Sequence, residues 1–184
     1  MHIETVDRAK RGDEEAFDAL AREVGDRCMA IAFRILRDAD LAADAVQSSL
    51  IVAWRELRTL RDSARFEPWL HRILTNECYA EARRRTRWSG EIRVIPLDGA
   101  TDTADLLTVN DRDQLERAFR RLTLEQRAVL VFHHYLGLTV PEVATRLGIP
   151  AGTAKSRIFH ATAALRASVD ADDRTSTIAQ ERFA

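Results

Sequence analysis

Residues 135–166 read YLGLTVPEVATRLGIPAGTAKSRIFHATAALR, the pattern of two short amphipathic helices joined by a tight turn. Thr139 and Glu142 stand three apart as a capping box, so the first helix starts at Thr139 and turns Val140, Val143, Ala144 and Leu147 inward. Gly148 supplies the left-handed backbone of a helix end, Ile149 plugs the corner, and Pro150 has the fixed φ suited to a first helical position. In the second helix Ala154, Ile158, Ala161 and Leu165 recur at steps of four, three and four, one apolar stripe for packing on the first helix. The remaining arc carries Thr153, Lys155, Ser156, Phe159 and His160, with Arg157 on its flank. A helix-turn-helix offers such side chains, near the N-terminus of its second helix, to the DNA major groove. A plain helical hairpin would leave the same polar face merely solvated, but capping box, glycine turn and polar-tipped second helix coincide within about thirty residues.

Working outward, the charge is segregated rather than low. The whole chain of 184 residues has a formal net charge of −1. Residues 91–113 hold six acids against two arginines, whereas residues 114–169 hold eight basic residues against Glu116, Glu125 and Glu142. A basic half behind an acidic leader suits a nucleic-acid partner better than the mean charge suggests. Cys28 and Cys78 are far apart and form no C-x-x-C pair, so the sequence supports neither a zinc site nor a disulfide framework, and no cofactor is expected. No run approaches the roughly twenty apolar residues of a membrane span, and MHIETVDRAK lacks the apolar core of a signal peptide, so a cytoplasmic location is expected.

Residues 12–87 read as helix almost throughout, with only Gly12, Gly25 and Pro68 as interruptions and no alternating strand pattern. Phe17, Leu20, Ala21 and Val24 mark one helix, and Met29, Ile31, Ala32 and Ile35 a second, closed by Arg37. A third begins near Asp40 and runs through Ala43, Val46, Leu50, Ala53, Trp54 and Leu57. The fourth runs from about Phe66 through Trp69, Leu70, Ile73 and Leu74 to Ala82. The expected fold is therefore all-α: two small helical domains joined by a flexible linker, the C-terminal one a helix-turn-helix. Domains are expected at 1–87 and 112–169, with the linker at 88–111, where Gly90, Pro96 and Gly99 break any period. A disordered tail is expected at 170–184.

Three segments carry a resemblance. LTLEQRAVLVFHHY (122–135) with GLTVPEVATRLGIPAGTAKSRI (137–158) resembles the promoter −35 binding region of bacterial extracytoplasmic-function sigma factors, within the sigma-70 family. The chain departs from that family's pattern at Thr123 for Pro, at Pro141, at Ala154 for Val, and after Arg157, where His160, Thr162 and Ala163 stand in place of further arginines. DADLAADAVQSSLIVAWREL (38–57) resembles the family's polymerase-binding helix, with Ser48 where an acid is usual and Leu50 for Phe. FEPWLHRILTNECYAEARRRTRW (66–88) is similar to the helix that engages the −10 element.

The resemblance implies a sigma factor that brings core RNA polymerase to promoter DNA and helps melt the −10 element. Contacts with the β′ clamp coiled coil would come from Asp40, Asp44, Gln47, Ser48 and Ile51, and the β flap is a further expected contact. The −35 element would be read by Pro150, Thr153, Lys155, Ser156, Arg157 and His160. For the −10 element the expected residues are Arg61, Asp62, Ser63 and Arg65 in the loop that pockets a flipped base, then Phe66, Trp69, Asn76, Arg83, Arg84, Arg85 and Arg87. Phe66 and Trp69, three apart, are also expected in the core, and the arginine run could serve only to complement a helix dipole. An anti-sigma factor is an expected partner, and no small-molecule substrate is implied. The alternative is a stand-alone helix-turn-helix regulator whose N-terminal helices form a dimerisation domain. An enzyme would have to be built from Glu67, His71, Glu77, His133 and His134, which lack an activated nucleophile, a metal-ligand set or a glycine-rich phosphate loop.

Overall fold

In a computed structural model of the chain, the described residues are 3–89 and 109–183, with side chains described for 3–87 and 113–171. Among them there is no strand, and no helix is long and apolar enough to cross a membrane.

The first half contains α1 (Ile3–Lys10), α2 (Glu14–Leu36), α3 (Ala39–Glu56) and α4 (Phe66–Ser89). Helix α1 lies ahead of the region expected to be helical. Its apolar repeat of Ile3, Val6 and Ala9 spans barely two turns, which is too short for a periodic signal; Val6 and Ala9 are buried. The first two expected helices are one. Helix α2 passes straight through Gly25, a residue that costs only about 1 kcal/mol inside a helix, while eight buried residues from Ala16 to Leu36 hold the element in the core. Asp13 caps it, accepting the Ala16 N–H at 3.0 Å, and Arg37 ends it in the left-handed conformation at φ 59°. Helix α3 packs closely because its buried face is small: Ala42, Ala45, Ser49 and Ala53. Helix α4 extends past Ala82 to Ser89.

The second half contains α5 (Val109–Arg120), α6 (Leu124–Leu130), a π-helical turn Val131–Tyr135, α7 (Val140–Leu147) and α8 (Ala151–Phe183). Thr123, where the family pattern has proline, caps α6: its hydroxyl accepts the Gln126 N–H at 3.3 Å while Gln126 Oε1 accepts the Thr123 N–H at 2.9 Å. The helix-turn-helix forms as its spacing predicts, with Gly148 left-handed at φ 65° between α7 and α8. His133 and His134 are half-buried and exposed respectively, their rings 4.7 Å apart on the π turn.

Residues 90–108 of the expected linker lie outside the described residues; Trp88 and Ser89 complete α4, and 109–111 begin α5. Residues 170–183, expected as a disordered tail, continue α8. No glycine or proline follows Gly152, so nothing stops the helix, and the Val169 carbonyl accepts a hydrogen bond from the buried Gln114 at 3.0 Å. The two halves are packed together rather than separate: one cluster of buried side chains runs from Val6 to Ala161, and its largest fully buried members include Phe66 of α4 and Phe132 of the π turn.

Candidate nucleic-acid and partner interfaces

Helix α3 presents a stripe. Asp40, Asp44, Gln47 and Ile51, spaced four, three and four, are all exposed, while Ser48 beside them is half-buried. Ile51 is 45% exposed and Trp54, one turn on, 36%. Trp54 is held by the Phe17 ring, whose centroid is 4.9 Å away. An apolar centre flanked by two carboxylates is the composition of a surface that docks on a basic, partly apolar partner. Trp54 belongs to this stripe, although its helical spacing reads equally as core.

The loop before α4 is a short turn anchored at both ends. Ser63–Arg65 is a 3-10 turn capped by Asp62, which accepts the Ala64 N–H at 3.0 Å. Ser63 is buried; its hydroxyl donates to Asp7 and accepts from Lys10 Nζ at 3.4 Å, so α1 anchors the loop. Arg61, Asp62 and Arg65 remain exposed. Phe66 is buried and Trp69 half-buried, their centroids 6.0 Å apart, which places both in the core edge as their spacing predicts.

The arginine run on α4 divides in two. Arg83 and Arg87 are exposed, as is Asn76. Arg84 instead pairs with buried Glu81 at 2.6 Å, and Arg85 pairs with Asp38, the residue whose carboxylate accepts the Asp40 and Leu41 N–H groups at 3.1 Å to cap α3. Arg85 thus ties α4 to the start of the polymerase-type helix. Sequence alone misses this because the pair spans 47 residues, although Asp38 two residues ahead of Asp40 is a legible cap signal. Asp7 and Lys10 have no such signal.

On α8, Lys155, Ser156 and His160 are exposed, with Pro150 just before the helix, while Thr153 and Arg157 are half-buried. Ser156 donates to the Thr153 carbonyl at 3.1 Å. Phe159 is 69% exposed, its ring 5.5 Å from that of His160, so the arc offers one large apolar group among polar ones. The start of α7 is set by Glu142, which accepts the Thr139 hydroxyl at 2.7 Å and N–H at 2.8 Å; those bonds hold the Glu142 carboxyl below its usual pKa. None of this resembles a catalytic constellation. His71 is buried and His133 Nδ1 donates to the Leu138 carbonyl at 2.7 Å, while among the described residues no cluster of three His, Cys, Asp or Glu could hold a metal ion.

Residues 20–88 match the family model for Sigma-70 region 2, and residues 112–165 that for Sigma-70, region 4. The chain is 34% identical to the ECF RNA polymerase sigma factor SigM of Mycobacterium tuberculosis, over 84% of this chain and 77% of that protein. It is 31% identical to the RNA polymerase sigma-H factor of Pseudomonas aeruginosa, over 87% of this chain and 89% of that one. Its fold is similar to that of the sigma factor RpoE of Bartonella quintana, solved with the anti-sigma factor NepR (TM-score 0.65, 24% identity, 85% of this chain and 98% of that one). It is also similar to CnrH, solved with the cytosolic domain of CnrY (TM-score 0.63, 24% identity, 92% and 97%). The chain belongs to the sigma-70 family, as an extracytoplasmic-function sigma factor.

Proposed function

We propose that this sigma factor binds core RNA polymerase through the exposed stripe of α3 and directs it to a promoter by reading the −35 element with α8 and opening the −10 element beside α4. The observation that carries this reading is the exposure of Asp40, Asp44, Gln47 and Ile51 on one face, in the same chain as a helix-turn-helix whose Lys155, Ser156 and His160 face outward. The role is one of binding and positioning, not of catalysis, and its place is the cytoplasm with the polymerase. Arg61, Asp62 and Arg65 would meet the displaced strand, while Arg83, Arg87 and Asn76 would grip its backbone. Ser63, Arg84 and Arg85 hold the fold that presents them. An anti-sigma partner is part of the proposal, since a structural relative was solved with an anti-sigma factor bound. Reconstitution with core polymerase, followed by sequencing DNA upstream of the transcripts, tests it. A common −35/−10 pair is the expected result; failure to bind core polymerase while binding DNA as a dimer would instead support a stand-alone regulator.

A further inference from the structure

We propose that α1 is a brace for the −10 loop: Asp7 and Lys10 act as positioning residues that hold Ser63 inward and thereby set where Arg61, Asp62 and Arg65 meet the displaced strand. This rests on the proposed function and deepens it, since it says what fixes the geometry of that site. Both residues lie ahead of 20–88, the span that matches the region 2 family model. The loop's own period gives the reason. Leu57, Leu60, Ser63 and Phe66 are all buried and stand three apart, the repeat of the 3-10 turns at Leu57–Thr59 and Ser63–Arg65. The residues between them, Arg58, Thr59, Arg61, Asp62, Ala64 and Arg65, are all exposed. Ser63 is the one polar member of the inward stripe, and a buried hydroxyl costs stability unless it is hydrogen-bonded.

Helix α1 supplies those bonds. Asp7 and Lys10, three apart and so on one helix face, are both half-buried. The Ser63 hydroxyl donates to the Asp7 carboxylate and accepts from Lys10 Nζ at 3.4 Å. Both partners are charged, which makes these bonds stronger than those between neutral groups. Val6 and Ala9 are buried at 0% and 3% exposure, so the helix that carries the two residues is itself seated in the core. The turn between α1 and α2 lies against the other end of the loop: a Cβ at Gly12 would sit 3.1 Å from the Arg58 guanidinium. A loop fixed at Ser63 meets an extruded base already ordered. A loop released from α1 has to be ordered on binding, and each rotamer-rich side chain immobilised at that moment lowers the affinity. Charge alone predicts the opposite sign, because removing a carboxylate near a polyanion tightens binding.

The test uses holoenzyme reconstituted from the full chain and core polymerase, and reads its affinity for a fluorescent single-stranded oligonucleotide carrying the −10 element of the mapped promoter. Asp7→Ala should weaken that affinity about fivefold or more, because the loop side chains lose their fixed frame. Its affinity for a −35 duplex should stay within about twofold of the native value, since the contacts made by α8 are untouched. Ser63→Ala should behave like Asp7→Ala, and the double variant should be no weaker than either single one, because both remove the same link. Asp7→Asn, which keeps a carbonyl acceptor for the hydroxyl, should bind like the native protein. Glu4→Ala makes the same charge change at an exposed position of α1 and should leave the affinity within about twofold. Oligonucleotide binding by Asp7→Ala that is native-like or tighter overturns the brace. So does an equal loss of −10 and −35 affinity, which marks a general loss of folding instead of a displaced loop. Wild-type holoenzyme that does not prefer the −10 oligonucleotide to a scrambled one would overturn the proposed role of the loop itself, and the brace with it.

Discussion

His71 is held neutral by its surroundings, and that makes it a source of acid sensitivity. Burial is the main force lowering its pKa to about 4; Glu67 on its own helix opposes the shift, while Arg146 of α7 and Arg27 of α2 add to it. In the unfolded chain the same imidazole titrates near 6.5, so between about pH 6.5 and 4 the unfolded state binds more protons, and stability falls as pH falls through that window. The shift corresponds to at most about 3 kcal/mol. Urea midpoints at pH 7 and pH 4.5 should differ markedly for the native chain and much less for His71→Leu; equal slopes in both proteins would remove His71 as the cause. A second residue-scale test concerns the arginine run. Asp38→Ala loses the α3 cap and the Arg85 pair and should cost about 2 kcal/mol in urea unfolding, while Arg83→Ala should leave stability within about 0.5 kcal/mol. Four arginines in five residues look alike in sequence, and only Glu81 one turn before Arg84 hints at the division.

Elements were legible wherever local chemistry sets their ends. The second half's helix-turn-helix could be placed from Thr139, Glu142, Gly148 and Pro150 because each acts on backbone within four residues of itself. Helix α2 was split at Gly25 because a glycine's cost is local, whereas the burial of Leu20, Val24, Cys28 and Ile31 that outweighs it is tertiary. The π turn at Val131–Tyr135 has no sequence signature either. The exposed stripe on α3 is the element whose proposed role is easiest to isolate, since none of Asp44, Gln47 and Ile51 is buried. Asp44→Ala with Gln47→Ala should leave far-UV circular dichroism and the urea midpoint unchanged and weaken core-polymerase association about tenfold or more in native-gel titration. Adding Ile51→Ala to that pair should weaken it further. Unaltered affinity in the triple variant would move the docking face off α3.

At the scale of the whole molecule, the order of the two halves was legible from their motifs, but their packing together was not, because its links join residues 75 and 92 positions apart with no spacing in common. Charge segregation is the other whole-molecule property, and it sets how the protein holds DNA. Residues 114–169 carry the excess of basic residues, yet after Arg157 the exposed face of α8 continues with His160 and Ala163, and the next arginine is Arg166. Each phosphate contact steepens the fall of log affinity with log salt by roughly 0.9. His160→Arg should therefore tighten −35 binding and steepen the slope by about that amount, with equal gains on matched and mismatched −35 sequences, because phosphate contacts position without specifying. Anisotropy on two duplexes at four salt concentrations provides the measurement. A preference between the duplexes altered by ~1–3 kcal/mol would put position 160 on the base edges, and an unchanged slope would keep it away from the backbone altogether.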